Sequence, residues 1–277
     1  MPRGLRLVIV ALVAALSVGF FFRTQLLNYF SVLFGDRYDG VIIVALEEHW
    51  YNVFRGLARW NVTGYFYPHK DTLGYNDGLL LYGMVYSCFR SLGSDLFLSS
   101  ELTNVVIKLV GFLGFFAVAR RVLAVGFWPA VLGSALFVIA NNSFVQADHV
   151  QLLSVGLAPL MMLLSYEAAI ALYFGQRMRG TGWGLGAAAF YASWLLTSFY
   201  MSWFFGLFCI AMAAVGTVSA GTRNCAIALR IGRREILPLG IIAVGFAIFL
   251  VPFLKVYLPI AAQSGMHPFG DVMLYSP

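Results

Sequence analysis

The chain has 277 residues, of which 61% are apolar and 11% charged. Soluble domains run at roughly 45–50% apolar and 25% charged, so this composition excludes a water-soluble globular enzyme as well as a disordered chain. A mean hydropathy of +0.83 and a net charge of +6 point to a polytopic membrane protein whose cations have a topological role, with no nucleic-acid partner implied. Three cysteines, Cys88, Cys209 and Cys225, form no disulfide framework or zinc-ligand spacing.

A bilayer crossing takes about 20 mostly apolar residues. The first candidate is 5–22, behind Arg3 and Arg6. It lacks a small-x-small cleavage site and reads as a retained helix. Residues 23–100 then form the one long extramembrane stretch, predicted to carry amphipathic juxtamembrane helices. Within it, Asp36 and Asp39 precede a helical run through Glu47, Glu48, His49, Trp50 and Arg55. An acid at its start suits the helix dipole, and Trp50, Tyr51, Phe54 and Trp60 suit the headgroup layer. Glu47 and Glu48 read as a solvated face. A turn-rich aromatic loop follows, with His69, Lys70, Asp71 and Asp77. The apolar run 78–89 is too short to cross and reads as interfacial or re-entrant.

Further spans are predicted at 102–119, 124–140 and 150–174. The apolar stretch 183–218 is too long for one crossing and splits near Phe199–Tyr200 into 183–199 and 201–218; the last span is 236–254. The expectation is an all-α, single-domain transmembrane bundle over 1–277 with about seven spans. Placing the N-terminus in the cytoplasm puts Arg3, Arg6, Arg120, Arg121, Arg177, Arg179, Arg223, Arg230, Arg233 and Arg234 on the cytoplasmic side, as positive charge prefers. The C-terminus then lies outside. So do most of the acids and all four histidines, His49, His69, His149 and His267. Two charges fall inside spans. Lys108 lies roughly 9 Å and Glu167 roughly 26 Å from the outer face, and both read as snorkelling to an interface.

Asp36 and Asp39 read equally as turn or N-cap residues and as catalytic acids. His49 and His149 fit interfacial hydrogen bonding, and Asp148-His149 fits a cap on the fourth span. What distinguishes the chain is that acids, histidines and aromatics gather in two loops on one side.

An N-in helix, a long outer loop opening with Asp, a second span ending in Ala119-Arg120-Arg121-Val122-Leu123 and a second outer loop bearing Asp148-His149-Val150-Gln151 together resemble the GT-C superfamily of integral-membrane glycosyltransferases. The stretches Gly35-Asp36…Asp39…Glu48-His49-Trp50 and Phe66-Tyr67-Pro68…Leu73-Gly74-Tyr75-Asn76-Asp77 are similar to those of bacterial members. The resemblance implies inverting transfer of a sugar from a polyprenyl-phosphate donor to an acceptor on the extracytoplasmic side, by a protein integral to a bacterial plasma membrane. It implies a general base at Asp39 or Asp36, with Asp148 as the second-loop acid. It also implies a divalent metal, magnesium or manganese, on Asp148 and His149, as in some members. Glu48, His49, Asp77, His149, Arg55 and Lys70 are the implied substrate-binding residues. Members usually extend further, so the chain reads as an N-terminal fragment. The competing reading is a multi-pass transporter or lipid flippase, and a non-catalytic scaffold is a third.

Overall fold

The computed structural model describes residues 1–36, 38–64, 72–140, 149–219, 232–264 and 270. Helix α1 (Arg3–Phe21) is followed by the short α2 (Arg23–Leu27) and an irregular passage leading to α3 (Asp39–Phe54). A 3-10 turn at Thr72–Tyr75 precedes α4 (Leu80–Ser91) and α5 (Leu96–Arg121). Helix α6 (Phe127–Val138) follows. A 3-10 stretch, Val150–Leu157, runs directly into α7 (Ala158–Tyr173), the change of winding falling where Pro159 starts the α-helix. The remaining helices are α8 (Arg177–Leu195), α9 (Phe199–Ser219) and α10 (Ile236–Ser264). No strand occurs among the described residues.

Five helices are long and apolar enough to cross a membrane: α1, α5, Val150–Tyr173, α9 and α10 through Ala262. Seven were expected. The two that fall short have identifiable reasons. Helix α6 has 12 residues, roughly 18 Å of helix against a hydrocarbon core of about 30 Å. Helix α8 opens on Arg177 and Arg179 and is rich in Gly and Ala, which lowers its hydropathy. The run 78–89 is the 12-residue α4, packed on α3 and α5, in keeping with a segment too short to cross.

Helix α5 is the hub, touching α1, α3, α4, α6, α7 and the 3-10 stretch. Asp95 caps it by accepting the N–H groups of Phe97 and Leu98, and Arg120 and Arg121 sit in its last turn, where cations complement the dipole. It meets the 3-10 stretch backbone to backbone: a Cβ on Gly156 would lie 3.0 Å from the Ile107 carbonyl oxygen, and one on Gly111 would lie 3.1 Å from the Gly156 Cα. Small residues permit this approach, the usual basis of helix association where lipid removes the hydrophobic drive. We expect Gly156→Leu to separate the two segments and lower stability by about 3 kcal/mol. Gly182→Leu, on open helix surface, should be neutral. Thermal unfolding followed by fluorescence-detected gel filtration distinguishes them.

The bundle has two chemically different ends. At one, Arg121 and Arg179 hold the buried Glu167 at 2.7 and 3.5 Å, and Arg177 and Arg234 hold the buried Glu235 at 2.8 and 2.6 Å. Glu167 does not snorkel by itself: it stays buried, and the exposed Arg121 and Arg179 reach in to pair with it. Lys108 does not snorkel either. It is 4% exposed, donates to the Val138 carbonyl at 3.2 Å and rests 3.9 Å from the centre of the Phe21 ring, so the protein takes the place of the interface. The opposite end carries α3, α4, the start of α5 and the start of the 3-10 stretch, and it holds the candidate site.

Candidate functional site

At the acidic end the passage before α3 closes on itself. Asp36 Oδ1 accepts the backbone N–H groups of Tyr38 and Asp39, an Asx turn that launches α3. Asp39 thus stands in the first helical turn with its carboxylate outward. His149, 110 residues later, begins the 3-10 stretch and brings its Nδ1 to 3.1 Å from Asp39 Oδ2. Both side chains remain open to solvent, 41% exposed for Asp39 and 52% for His149. The pair joins the first turn of α3 to the head of the 3-10 stretch, and the packing of both on α5 sets their spacing.

The other expected site residues lie elsewhere. Glu48, His49 and Arg55 follow on α3 by 9 to 16 residues, roughly 14–24 Å along its axis from Asp39. Glu48 is held by Arg90 at 2.9 Å and by the Tyr86 hydroxyl at 2.7 Å. Burial works against its charge, but Arg90 and Tyr86 prevail and hold its carboxyl below the ordinary glutamate value. His49 Nε2 lies 3.0 Å from the Trp60 carbonyl oxygen, and burial depresses its basicity. Arg55 rests over the Tyr51 ring.

Asp77 is buried and accepts the N–H of Phe199 at 2.9 Å, capping α9. The exchange is mutual, since Thr197, just before α9, accepts the N–H groups of Leu79 and Leu81 at the start of α4. Burial raises the Asp77 pKa to about 6 despite the bond from Phe199. Lys70, Asp148, His69 and Asp71 lie outside the described residues.

The expected solvated face of α3 is not one. Glu47 is fully buried and neither of its oxygens has a hydrogen-bond partner among the described residues. Burial raises its pKa to about 8; the nearby Ser100 tempers this and the neighbouring Glu101 adds to it. Trp50, expected in the headgroup layer, is buried on Gly83 of α4 and donates its indole N–H to the Gly78 carbonyl. A side chain at position 83 would collide with the Trp50 ring. The reason for both corrections is the same: α3 is clasped between α4 and α5, and only residues such as Val41 and Phe54 remain outward.

The structure also supplies groups that sequence reasoning passed over. Tyr82 is fully buried with its hydroxyl unpartnered among the described residues, close enough to Glu47 and Asp77 that their charges, after burial, push its pKa well up. Glu101 is fully buried one turn into α5; its Oε1 accepts the Phe34 N–H at 2.6 Å. Helical spacing carries a signal here, because Glu101, Asn104 and Lys108 share one face of an apolar helix.

Beside the Asp39 turn is a cavity of about 740 Å³ walled by Asp36, Asp95, Glu101, Val41 and Phe30. A second, wholly different cavity of about 540 Å³ lies between α1 and α5 and is apolar, lined by residues such as Ala11, Ala15, Leu102, Val105 and Leu109. Among the described residues no group of three His, Cys, Asp or Glu side chains is placed to hold a metal ion. Compared with known proteins, the chain matches no family model, no curated protein and no solved structure.

Proposed function

We propose that this chain is an inverting membrane glycosyltransferase that moves a sugar from a polyprenyl-phosphate donor to an acceptor hydroxyl, with Asp39 as general base. The observation that carries the reading is the 3.1 Å contact between Asp39 and His149, two solvent-open groups from separate loops. With Nδ1 protonated, His149 donates to Asp39 Oδ2 and orients the carboxylate. The other oxygen, Oδ1, takes the acceptor proton as the acceptor oxygen attacks the anomeric carbon. The bond from that carbon to the phosphate oxygen breaks, and polyprenyl phosphate leaves with the electron pair. A positioned base within hydrogen-bond reach contributes about 10²–10⁴-fold. Asp36 is the weaker candidate because one of its oxygens is engaged in the turn.

In this reading the arginine end faces the cytoplasm, and α6 and α8 cross with the five longer helices to make seven spans. The N-terminus lies inside and the C-terminus outside, in a bacterial plasma membrane. Membrane-impermeant maleimide added to whole cells should label a single cysteine at the exposed Leu92 and spare one at the exposed Met178 in a cysteine-free background. Equal labelling of the two would overturn the sidedness.

A divalent metal held by Asp148 and His149 belongs to the same proposal. The described donors at this point are one carboxylate and one imidazole, fewer than magnesium requires, so no step is routed through a metal. The reading is tested by sugar transfer from a radiolabelled polyprenyl-phosphate donor, with and without chelator. Loss on chelation with recovery on magnesium or manganese supports the metal; indifference removes it.

The transporter reading draws on one observation, the inward Lys108 and Glu101 of α5. Loss of substrate movement across vesicles in Lys108→Met, with Asp39→Asn silent, would favour it.

A further inference from the structure

The apolar cavity between α1 and α5 is formed by two matched faces. Ala11, Ala15 and Gly19 recur every four residues on α1, and Leu102, Val105 and Leu109 face them from α5. The small side chains on α1 leave the slot open. Leu26, Leu109 and Leu113, which line it, are exposed, so it opens on the lipid side of the bundle. In a bilayer such a slot takes a lipid chain. What selects the lipid is the chamber at its head, since Phe30 lines both cavities and the two share that wall. Tyr29 and Phe30 hold left-handed backbone, φ 51° and 57°, a conformation unfavourable for bulky residues that keeps Phe30 at this junction.

The three acids of the chamber are arranged alike. Asp36 Oδ1, Asp95 Oδ1 and Glu101 Oε1 each accept backbone N–H groups, which fixes the carboxylates. Glu101 Oε2 is buried without a partner among the described residues, whereas Asp36 is half-buried and Asp95 exposed. Carboxyl oxygens accept hydrogen bonds, so the open oxygens of Asp36 and Asp95 call for donors. Three acids in one wall disfavour an anionic phosphate headgroup. A sugar's hydroxyls match it, since each donates a charge-assisted bond.

We infer that the slot and chamber together bind a lipid with a neutral sugar headgroup, its chain between α1 and α5 and its hydroxyls on Asp36, Asp95 and Glu101. This ligand is distinct from the phosphate-bearing donor. Asp36 bonds the N–H of Asp39, so the chamber wall and the base share one turn. On the glycosyltransferase reading a headgroup hydroxyl at the Asp36 edge of the chamber is the acceptor, Asp39 following three residues later in the same turn; the binding itself does not rest on that reading.

The experiment uses the full chain in nanodiscs with monoglucosyl-diacylglycerol carrying a diazirine on one acyl chain. Cross-links should map to residues 11–22 and 102–113. Unlabelled glucosyl lipid should compete at least tenfold better than phosphatidylglycerol or a cationic lipid with the same chains. Ala15→Trp, on an exposed face of α1, should abolish the cross-link. Asp36→Asn with Asp95→Asn retains the turn and cap acceptors and should erase the tenfold preference, which separates headgroup recognition from folding. Equal competition by the anionic lipid, better competition by the cationic lipid, or labelling unchanged in Ala15→Trp would overturn the inference. Asp39→Asn should keep the cross-link while losing transfer. Selective binding with no transfer to any acceptor refutes only the enzymatic reading, and transfer without selective binding refutes only this one.

Discussion

Asp39→Asn should reduce sugar transfer by about 10²–10⁴-fold while leaving the protein folded and inserted. Asn preserves the size of the side chain and a hydrogen-bonding oxygen toward His149 Nδ1, but it is not basic enough to take a hydroxyl proton. Asp36 closes the α3 turn by accepting backbone N–H groups, including that of position 39, and this does not depend on the side chain at 39. The fold should therefore survive, and the loss should appear in kcat and not in donor KM. His149→Ala leaves the base in place without its orienting partner, so a smaller loss is expected. Asp36→Asn still accepts from Tyr38 and Asp39, so the turn should survive and kcat should be largely kept, while the acceptor KM rises because Asp36 holds the acceptor headgroup. Single-turnover transfer from a radiolabelled donor measures all three. Full activity in Asp39→Asn would refute the assignment of the base.

The second large effect concerns stability. Glu47 has an ordinary carboxyl pKa of 4.5 in the unfolded chain and about 8 in the folded one. The folded state therefore binds the proton more tightly, and between these two values it carries more protons than the unfolded state. Stability must then fall as pH rises from about 4.5 to about 8, and level off above. At about 1.4 kcal/mol per unit the whole penalty is on the order of 5 kcal/mol. Asp77, raised from 3.8 to about 6, adds a smaller decline of the same sign at lower pH. Glu47→Gln stays neutral throughout, so its apparent Tm should match the parent near pH 4 and exceed it at pH 8.5. Parallel pH profiles for the two proteins would show that Glu47 is not buried as described.

The helix starts and stops were largely legible because they depend on local chemistry. The break between α8 and α9 falls at Leu196–Ser198, beside the predicted split at Phe199–Tyr200, since a 36-residue apolar run exceeds one crossing. The start of α3 at Asp39 was visible in the acid-led amphipathic run. The spacing between the loops was not legible. Nothing in the local pattern places His149 on Asp39, and Glu48, His49 and Arg55 are set apart from Asp39 only once α3 is known to be one continuous 16-residue helix. Glu47 and Glu48 show the same limit: adjacent in sequence, one is sealed against α5 and the other is paired with Arg90 on α4.

By itself the sequence determined that the chain is helical, with runs long and apolar enough to cross a membrane, because hydrophobic length is summed over local segments. Only the tertiary structure decided which acids are buried, which act as caps and which remain open as a pair, because those fates depend on what the neighbouring helix presents. Gly83 under Trp50, Phe34 against Glu101 and Thr197 against Leu79 are contacts between residues far apart in the chain, and burial and hydrogen bonding follow from such contacts.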